Sequence, residues 1–234
     1  MAVYGDLRFA SHHDMMRVIE RALLRGNLPL KYSQGFSPRA ILSLAFPRPV
    51  GAAAERDLLV LNLEAPMLRD QLLEAANSSC PKGLEFTDAI RLDCKSTPQP
   101  CRCAYRIGVP AGESERVAGR VEEFSAAETF PIRRTKPPKR RGRRDGGAEP
   151  VARTLDLKLL IDDVRFDGET LSWRQSPRQT IWAKPAEAMK AFGLDPAGAA
   201  AMLTRTSLEL RGFNEYSGPA DGESDDGPET KQET

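Results

Sequence analysis

An α+β fold of two tandem ferredoxin-like (βαββαβ) units is predicted by three features of the sequence. Short apolar runs alternate with segments whose apolar residues recur every three or four positions, in the order β-α-β-β-α-β. A polar stretch with two prolines, Cys94–Pro100, interrupts the chain, and after it the same order returns. With 234 residues and 40% hydrophobic content, the chain has enough apolar material for two such cores. The expected organisation is a first unit over residues 1–94, a linker over 95–103, a second unit over 104–212 with a basic loop at 133–150, and a disordered acidic tail over 213–234. The repeat is one of element order, not of residue identity.

Leu7–Ala10 reads as the first strand. Ser11 then stands at an N-cap position, and Asp14 three residues later gives a capping-box-like S-x-x-D. From His12 the pattern is helical, with Met15, Ile19, Ala22 and Leu23 on one face and Arg17, Glu20, Arg21 and Arg25 off it. Gly26-Asn27 ends the helix, with Pro29 just beyond. Ile41–Phe46 is the next strand, broken by Pro47, Pro49 and Gly51, and Leu58–Leu63 follows. Pro66 opens a helix over Met67–Ser78. Pro81-Lys82-Gly83 turns the chain into a strand over Leu84–Leu92.

In the second unit Ala104–Val109 is a strand, Ser114–Ala127 a helix and Thr129–Arg134 strand-like. Lys136–Pro150 is rich in Lys, Arg, Gly and Pro. Leu155–Ile161 and Val164–Phe166 are apolar, and Asp167-Gly168 is a turn leading to a strand over Leu171–Gln175. Pro185–Phe192 is a helix and Thr206–Arg211 the last strand. One of Trp173 and Trp182 is expected in the core and the other at an interface.

The near-neutral net charge of +1 conceals an asymmetry. Of 34 basic and 33 acidic residues, positions 215–234 take one base, Lys231, and seven acids, leaving 33 and 26 in the body. A basic body points to a polyanionic partner. The tail is either a competitor for the same surface or only a solubilising end. No apolar run approaches the roughly 20 residues that span a bilayer, and the first residues lack the apolar core of a secretory signal. The expected location is cytoplasmic. Cys80, Cys94, Cys101 and Cys103 show neither paired C-x-x-C spacing nor the three-cysteine pattern of an iron–sulfur site, and read as reduced thiols, the last three in or beside the linker.

Three groups of residues could carry chemistry. His12, His13 and Asp14 occupy the first turn of a helix, where free N–H groups and the dipole favour anions and keep an imidazole neutral. They are candidates for acid/base work, together with Tyr32; the bland alternative is a helix cap with two surface histidines. One turn supplies too few ligands for a closed metal site, so none is expected. Tyr32-Ser33-Gln34-Gly35-Phe36-Ser37-Pro38-Arg39 interleaves aromatic, hydroxyl and Arg groups around a glycine, a composition that stacks bases and binds phosphate, or one that merely plugs a sheet. Arg17, Arg21 and Arg25 form a stripe at four-residue spacing. Arg133-Arg134-Thr135-Lys136-Pro137-Pro138-Lys139-Arg140-Arg141-Gly142-Arg143-Arg144 has eight basic residues in twelve, a density suited to phosphate backbones. The RNA-binding candidates are therefore Arg17, Arg21, Arg39, Arg133, Arg134, Lys136, Lys139, Arg140, Arg141, Arg143 and Arg144. His12, Arg17, Tyr32, Ser33 and Arg39 are expected to share one surface.

The segment Gly5–Gly51 resembles the start of the bacterial radical-SAM-linked proteins. That family reads approximately G-x-L-R-F-L-S-H-L-D-x-M-R-x-x-E-R-A-L-R-R-A-x-L-P-x-x-Y-S-x-G-F-N-P-x-P. The matching residues here include Leu7, Arg8, Phe9, Ser11, His12, Asp14, Met16, Arg17, Glu20, Arg21, Leu28, Pro29, Tyr32, Ser33, Gly35, Phe36 and Pro38. His13 stands where the family usually has Leu, and Ser37 and Ala40 replace Asn and Pro. The likeness extends, more weakly, to Arg211. It implies a radical SAM partner, which would carry the iron–sulfur cluster and S-adenosylmethionine, with no cofactor in this chain. It also implies a recurrent setting near RNase and ribosomal-protein genes. The expected role is an RNA-binding accessory protein acting with a radical SAM protein in RNA or ribosome modification. The alternatives are a metal-independent endoribonuclease of RAMP-like architecture using His12 or His13, and a protein-interaction adaptor without nucleic acid.

Overall fold

The computed structural model describes residues 1–92, 99–136 and 151–211, with the backbone alone at 136 and 151. Expectations for Cys94, for Lys139, Arg140, Arg141, Arg143 and Arg144, and for the acidic tail fall outside the described residues. The fold is mixed α+β, with helices on a mostly antiparallel sheet.

The first strand, β1, is Ala2–Val3, and the predicted strand Leu7–Ala10 is instead covered by a 3-10 turn, Gly5–Phe9. Gly5 lies at φ 59°, in the left-handed region that glycine enters freely, and so turns the chain out of the sheet. Helix α1, His12–Arg25, starts as expected: the Ser11 Oγ accepts from the Asp14 N–H at 3.2 Å and donates to Asp14 Oδ2 at 2.7 Å. Met15, Ile19, Ala22 and Leu23 are its buried residues, as the spacing predicts. Full burial of each large apolar side chain contributes about 1.5–3 kcal/mol. Gly26 ends the helix against a later one, since a Cβ there would lie 2.0 Å from the Ala75 carbonyl oxygen.

Strand β2 is Leu42–Leu44. Next comes β3, Ala53–Ala54, which sequence analysis missed because alanine carries little strand preference. Strand β4 is Leu59–Leu61, and helix α2 is Arg69–Asn77. Strand β5 stops at Leu84–Glu85 and does not run on to Leu92. The Phe86 N–H and carbonyl are both taken by the side chain of Asn77, at 2.8 and 2.9 Å, which leaves the ladder without them.

Strand β6, Pro100–Gly108, includes Cys101 and Cys103, which the sequence placed in a linker. Helix α3 is Ser114–Ala126. Strands β7, Pro131–Lys136, and β8, Val151–Asp156, pair antiparallel, so Arg133 and Arg134 belong to a hairpin and not to a loop. The expected apolar run Leu155–Ile161 is divided. Asp156 Oδ1 accepts from the N–H groups of Phe130 and Lys158, at 2.8 and 3.0 Å, and a 3-10 turn follows before β9, Ile161–Phe166. Strand β10 is Thr170–Gln175, α4 is Pro185–Ala191, α5 is Pro196–Ala199 and β11 is Leu203–Leu210.

Seven strands form one sheet in the order β5-β1-β3-β11-β6-β10-β9, and β2·β4 and β7·β8 are separate pairs. The strands of the second segment, β6, β9, β10 and β11, stand in the order last, first, third, second, with antiparallel neighbours. The first segment adds β5, β1 and β3. The segments meet where β3 runs parallel to β11, Arg205 opposite Ala54. Small side chains suit that junction: Ala52 and Ala54 are buried. Two apolar clusters form among the described residues. One is built on α1 with Val3, Ala54, Ala76 and Leu84, and the other packs α3 and α4 on Tyr105, Ile107, Leu171 and Trp173. Trp173 is buried against Tyr105 with ring centroids 5.4 Å apart, and Trp182 is half-buried on Phe46 at 4.7 Å. Among the described residues no helix is long and apolar enough to cross a membrane.

A candidate polyanion-binding site

The start of α1 presents His12 and His13 to solvent, with ring centroids 5.7 Å apart. Asp14 beside them is engaged by Ser11 and by Arg17, whose Nη1 is 3.5 Å from its Oδ1. His13 faces water, so the exchange of an apolar residue for histidine carries no desolvation cost there. Arg17, Arg21 and Arg25 are all exposed along the outer side of α1.

The Tyr32–Arg39 segment is a separate construction. Tyr32 pairs with Ala40 as an isolated bridge, and Ser33 closes the loop twice: its N–H donates to the Arg39 carbonyl at 2.8 Å, and its Oγ accepts from the Arg39 N–H at 3.1 Å. Tyr32 is half-buried on the first cluster, while Phe36 at the tip is fully exposed. The fourteen residues of α1 span about 21 Å, and the two groups follow its opposite ends. No hydrogen bond or ion pair among the described residues joins them. Hydrogen bonds and an ion pair tie Ser11, Asp14 and Arg17 to one another, and a second set ties Ser33 to Arg39.

Another group of basic side chains lies elsewhere. A cleft of about 460 Å³ runs between β7 and α4, lined by Arg120, Arg133, Arg134, Lys184 and Lys190, with Phe130 on its wall and Glu187 as its one carboxylate. Arg134 is half-buried and satisfied inside the fold. Its Nε and Nη2 donate to the two Glu187 oxygens at 2.6 and 2.5 Å, and Nη2 also reaches the Trp182 carbonyl at 2.8 Å. Partial burial acts to raise the Glu187 pKa, but the Arg134 fork and the Lys184 N–H overcome it and hold the carboxyl below its usual range. Arg120 donates to the Ala191 carbonyl at 2.9 Å and pairs with Glu123. Arg133, Lys184 and Lys190 stay exposed at the rim. In sequence, residues 137–150 connect β7 to β8, and they lie outside the described residues.

A second polar group, buried, joins the two segments. Arg205 is fully buried and Asp57 is 2% exposed. Arg205 Nε donates to Asp57 Oδ1 at 2.8 Å and its Nη2 to the Phe46 carbonyl at 2.9 Å, while Arg48 Nη1 approaches Asp57 Oδ2 at 3.3 Å. Burial depresses the Arg48 pKa, and Asp57 opposes that shift. This group is a structural tie. Cys103 is buried beside it, and burial pushes its thiol up to about 11. Among the described residues no group of three or more His, Cys, Asp or Glu could hold a metal ion.

Sequence reasoning found Arg133 and Arg134 but missed Arg120, Lys184 and Lys190. They come from helices distant in the chain, and an isolated Lys or Arg on a helix carries no signal of where it will face. The family model described as "Uncharacterized protein conserved in bacteria (DUF2344)" matches residues 1–171 of the 234, and the chain belongs to that family. No curated protein matches the chain.

Proposed function

We propose, for this member of the DUF2344 family, that it is an RNA-binding accessory protein that acts with a radical SAM partner in RNA or ribosome modification. The observation that carries the RNA reading is the cleft of five basic side chains and one carboxylate, lined by β7, which continues in sequence into the basic 137–150 segment. Such a surface attracts phosphate backbones by counterion release, without base specificity. Phe130 on the cleft wall is half-buried and carries the Arg120 guanidinium 5.3 Å from its ring centroid, which holds that cation at the cleft. The radical SAM partner is supported by the motif running from Gly5 to Pro38. The last-first-third-second strand order supports reading residues 104–212 as a ferredoxin-like unit.

Filter binding of single-stranded RNA across a salt series tests the RNA reading. Replacing Lys139, Arg140, Arg141, Arg143 and Arg144 by Ser should reduce the log–log salt slope by about 3–4, and replacing Arg133, Lys184 and Lys190 by Ser should reduce it by about 2. Unchanged slopes in both variants refute it. An iron–sulfur protein that binds S-adenosylmethionine, retained from lysate on the immobilised chain, supports the partner. Retention of none argues for RNA binding alone.

A further inference from the structure

We propose that the chain's own acidic tail occupies the basic cleft and competes there with RNA. This rests on the RNA reading of that cleft. Three observations locate the tail. The first is charge: residues 215–234 carry seven carboxylates against Lys231, while the cleft carries five basic groups against Glu187. Two of the five are already satisfied, Arg134 by Glu187 and Arg120 by Glu123. Arg133 and Lys190 are exposed, and no ion pair among the described residues engages them.

The second is position. The Arg211 N–H donates to the Gln99 carbonyl at 2.8 Å, so the tail leaves the sheet where β6 begins. Gln175 lies opposite Cys103 near that same end, and its side-chain amide donates to the Ala183 carbonyl at 3.0 Å, next to Lys184. The exit and the cleft are thus at one pole of the molecule. Strand β10 is two strands from β11, which is about 10 Å across the sheet.

The third is reach. Residues 212–234 are 23 positions, a contour of at most about 75 Å. That length exceeds the roughly 10 Å between β11 and β10 several-fold. A tethered segment acts at an effective concentration in the millimolar range, so a seat whose dissociation constant is about a quarter of that concentration lowers the apparent RNA affinity by about fivefold.

The test uses the full chain. In a neutral-tail variant, Glu215, Glu223, Glu229 and Glu233 become Gln, and Asp221, Asp225 and Asp226 become Asn. Anisotropy of a labelled single-stranded RNA should show about fivefold tighter binding to this variant at low salt, and a difference that closes as screening shortens to a few ångströms near 1 M salt. A labelled peptide of residues 213–234 should bind the neutral-tail chain, and should lose that binding when Arg133, Lys184 and Lys190 are also changed to Ser. Equal RNA affinity of the wild-type and neutral-tail chains overturns the competition while leaving the RNA reading intact. Peptide binding that survives loss of the three cleft residues overturns the seat. If neither chain binds RNA and the peptide still binds through the cleft, the RNA reading fails and the tail's seat stands.

Discussion

Replacing Asp57 by Asn leaves two buried guanidinium groups without their counter-ion. Arg205 has no exposed surface, and the Arg48 side chain is 5% exposed. The introduced amide would keep the shape of the carboxylate and one acceptor oxygen, but it removes the charge between two cations that water cannot reach. Breaking a buried pair by deleting one partner costs about 3–5 kcal/mol, because the remaining charge is uncompensated. In a chain of this size each kilocalorie shifts the melting temperature by about 2–4 °C, so the variant should melt about 6–20 °C lower. Circular dichroism melts and urea titrations of wild type and Asp57→Asn measure the difference. Arg205→Met supplies the contrast. It removes one of the two cations together with its desolvation cost and leaves the Arg48–Asp57 pair, so its loss should be smaller. A loss below about 1 kcal/mol for Asp57→Asn would refute the claim that this ion group ties the two segments together.

Gly26→Ala should destabilise by about 1–3 kcal/mol, since the new methyl meets the Ala75 carbonyl and α1 must shift from α2; a neutral melt would refute the close approach. Glu187→Gln should lower stability at pH 7 by about 1 kcal/mol. The folded Glu187 pKa is depressed, so the wild-type advantage is present above the unfolded carboxylate value and lost as pH falls through the folded one; melts at pH 7 and at successively lower pH should show the gap closing. The same variant frees Arg134 and should tighten RNA binding. Cys103 should resist thiol reagents at pH 8 in the native protein and react after denaturation, because a thiol raised to about 11 holds almost no thiolate; mass spectrometry of labelled peptides reads this directly. His12→Ala should leave the melting temperature nearly unchanged, as its ring is exposed, and incubation of the wild type with labelled RNA should show no cleavage.

The local rules were sufficient where one element makes its own decision. The Ser11 cap, the buried face of α1 and the extent of α3 followed from spacing and turn residues, because those contacts lie within a few positions of each other. The candidate groups at His12–Arg17 and Tyr32–Arg39 were legible as runs of residues, each closed by contacts between near neighbours in the chain.

Partner choice was not legible. Sequence indicated two units in series, but the fold joins them in one sheet through Ala53-Ala54, a strand with almost no strand signal of its own. Its residues are small because β1 and β11 flank it, a reason that exists only once the sheet is assembled. The same holds for Asp57 and Arg205, 148 positions apart, and for the cleft, where Arg134 and Glu187 meet across 53 positions. A charged residue in a sequence reads as surface. Whether it faces water, closes a buried pair or lines a cleft depends on which distant backbone packs beside it, and that depends on burial summed over the whole chain.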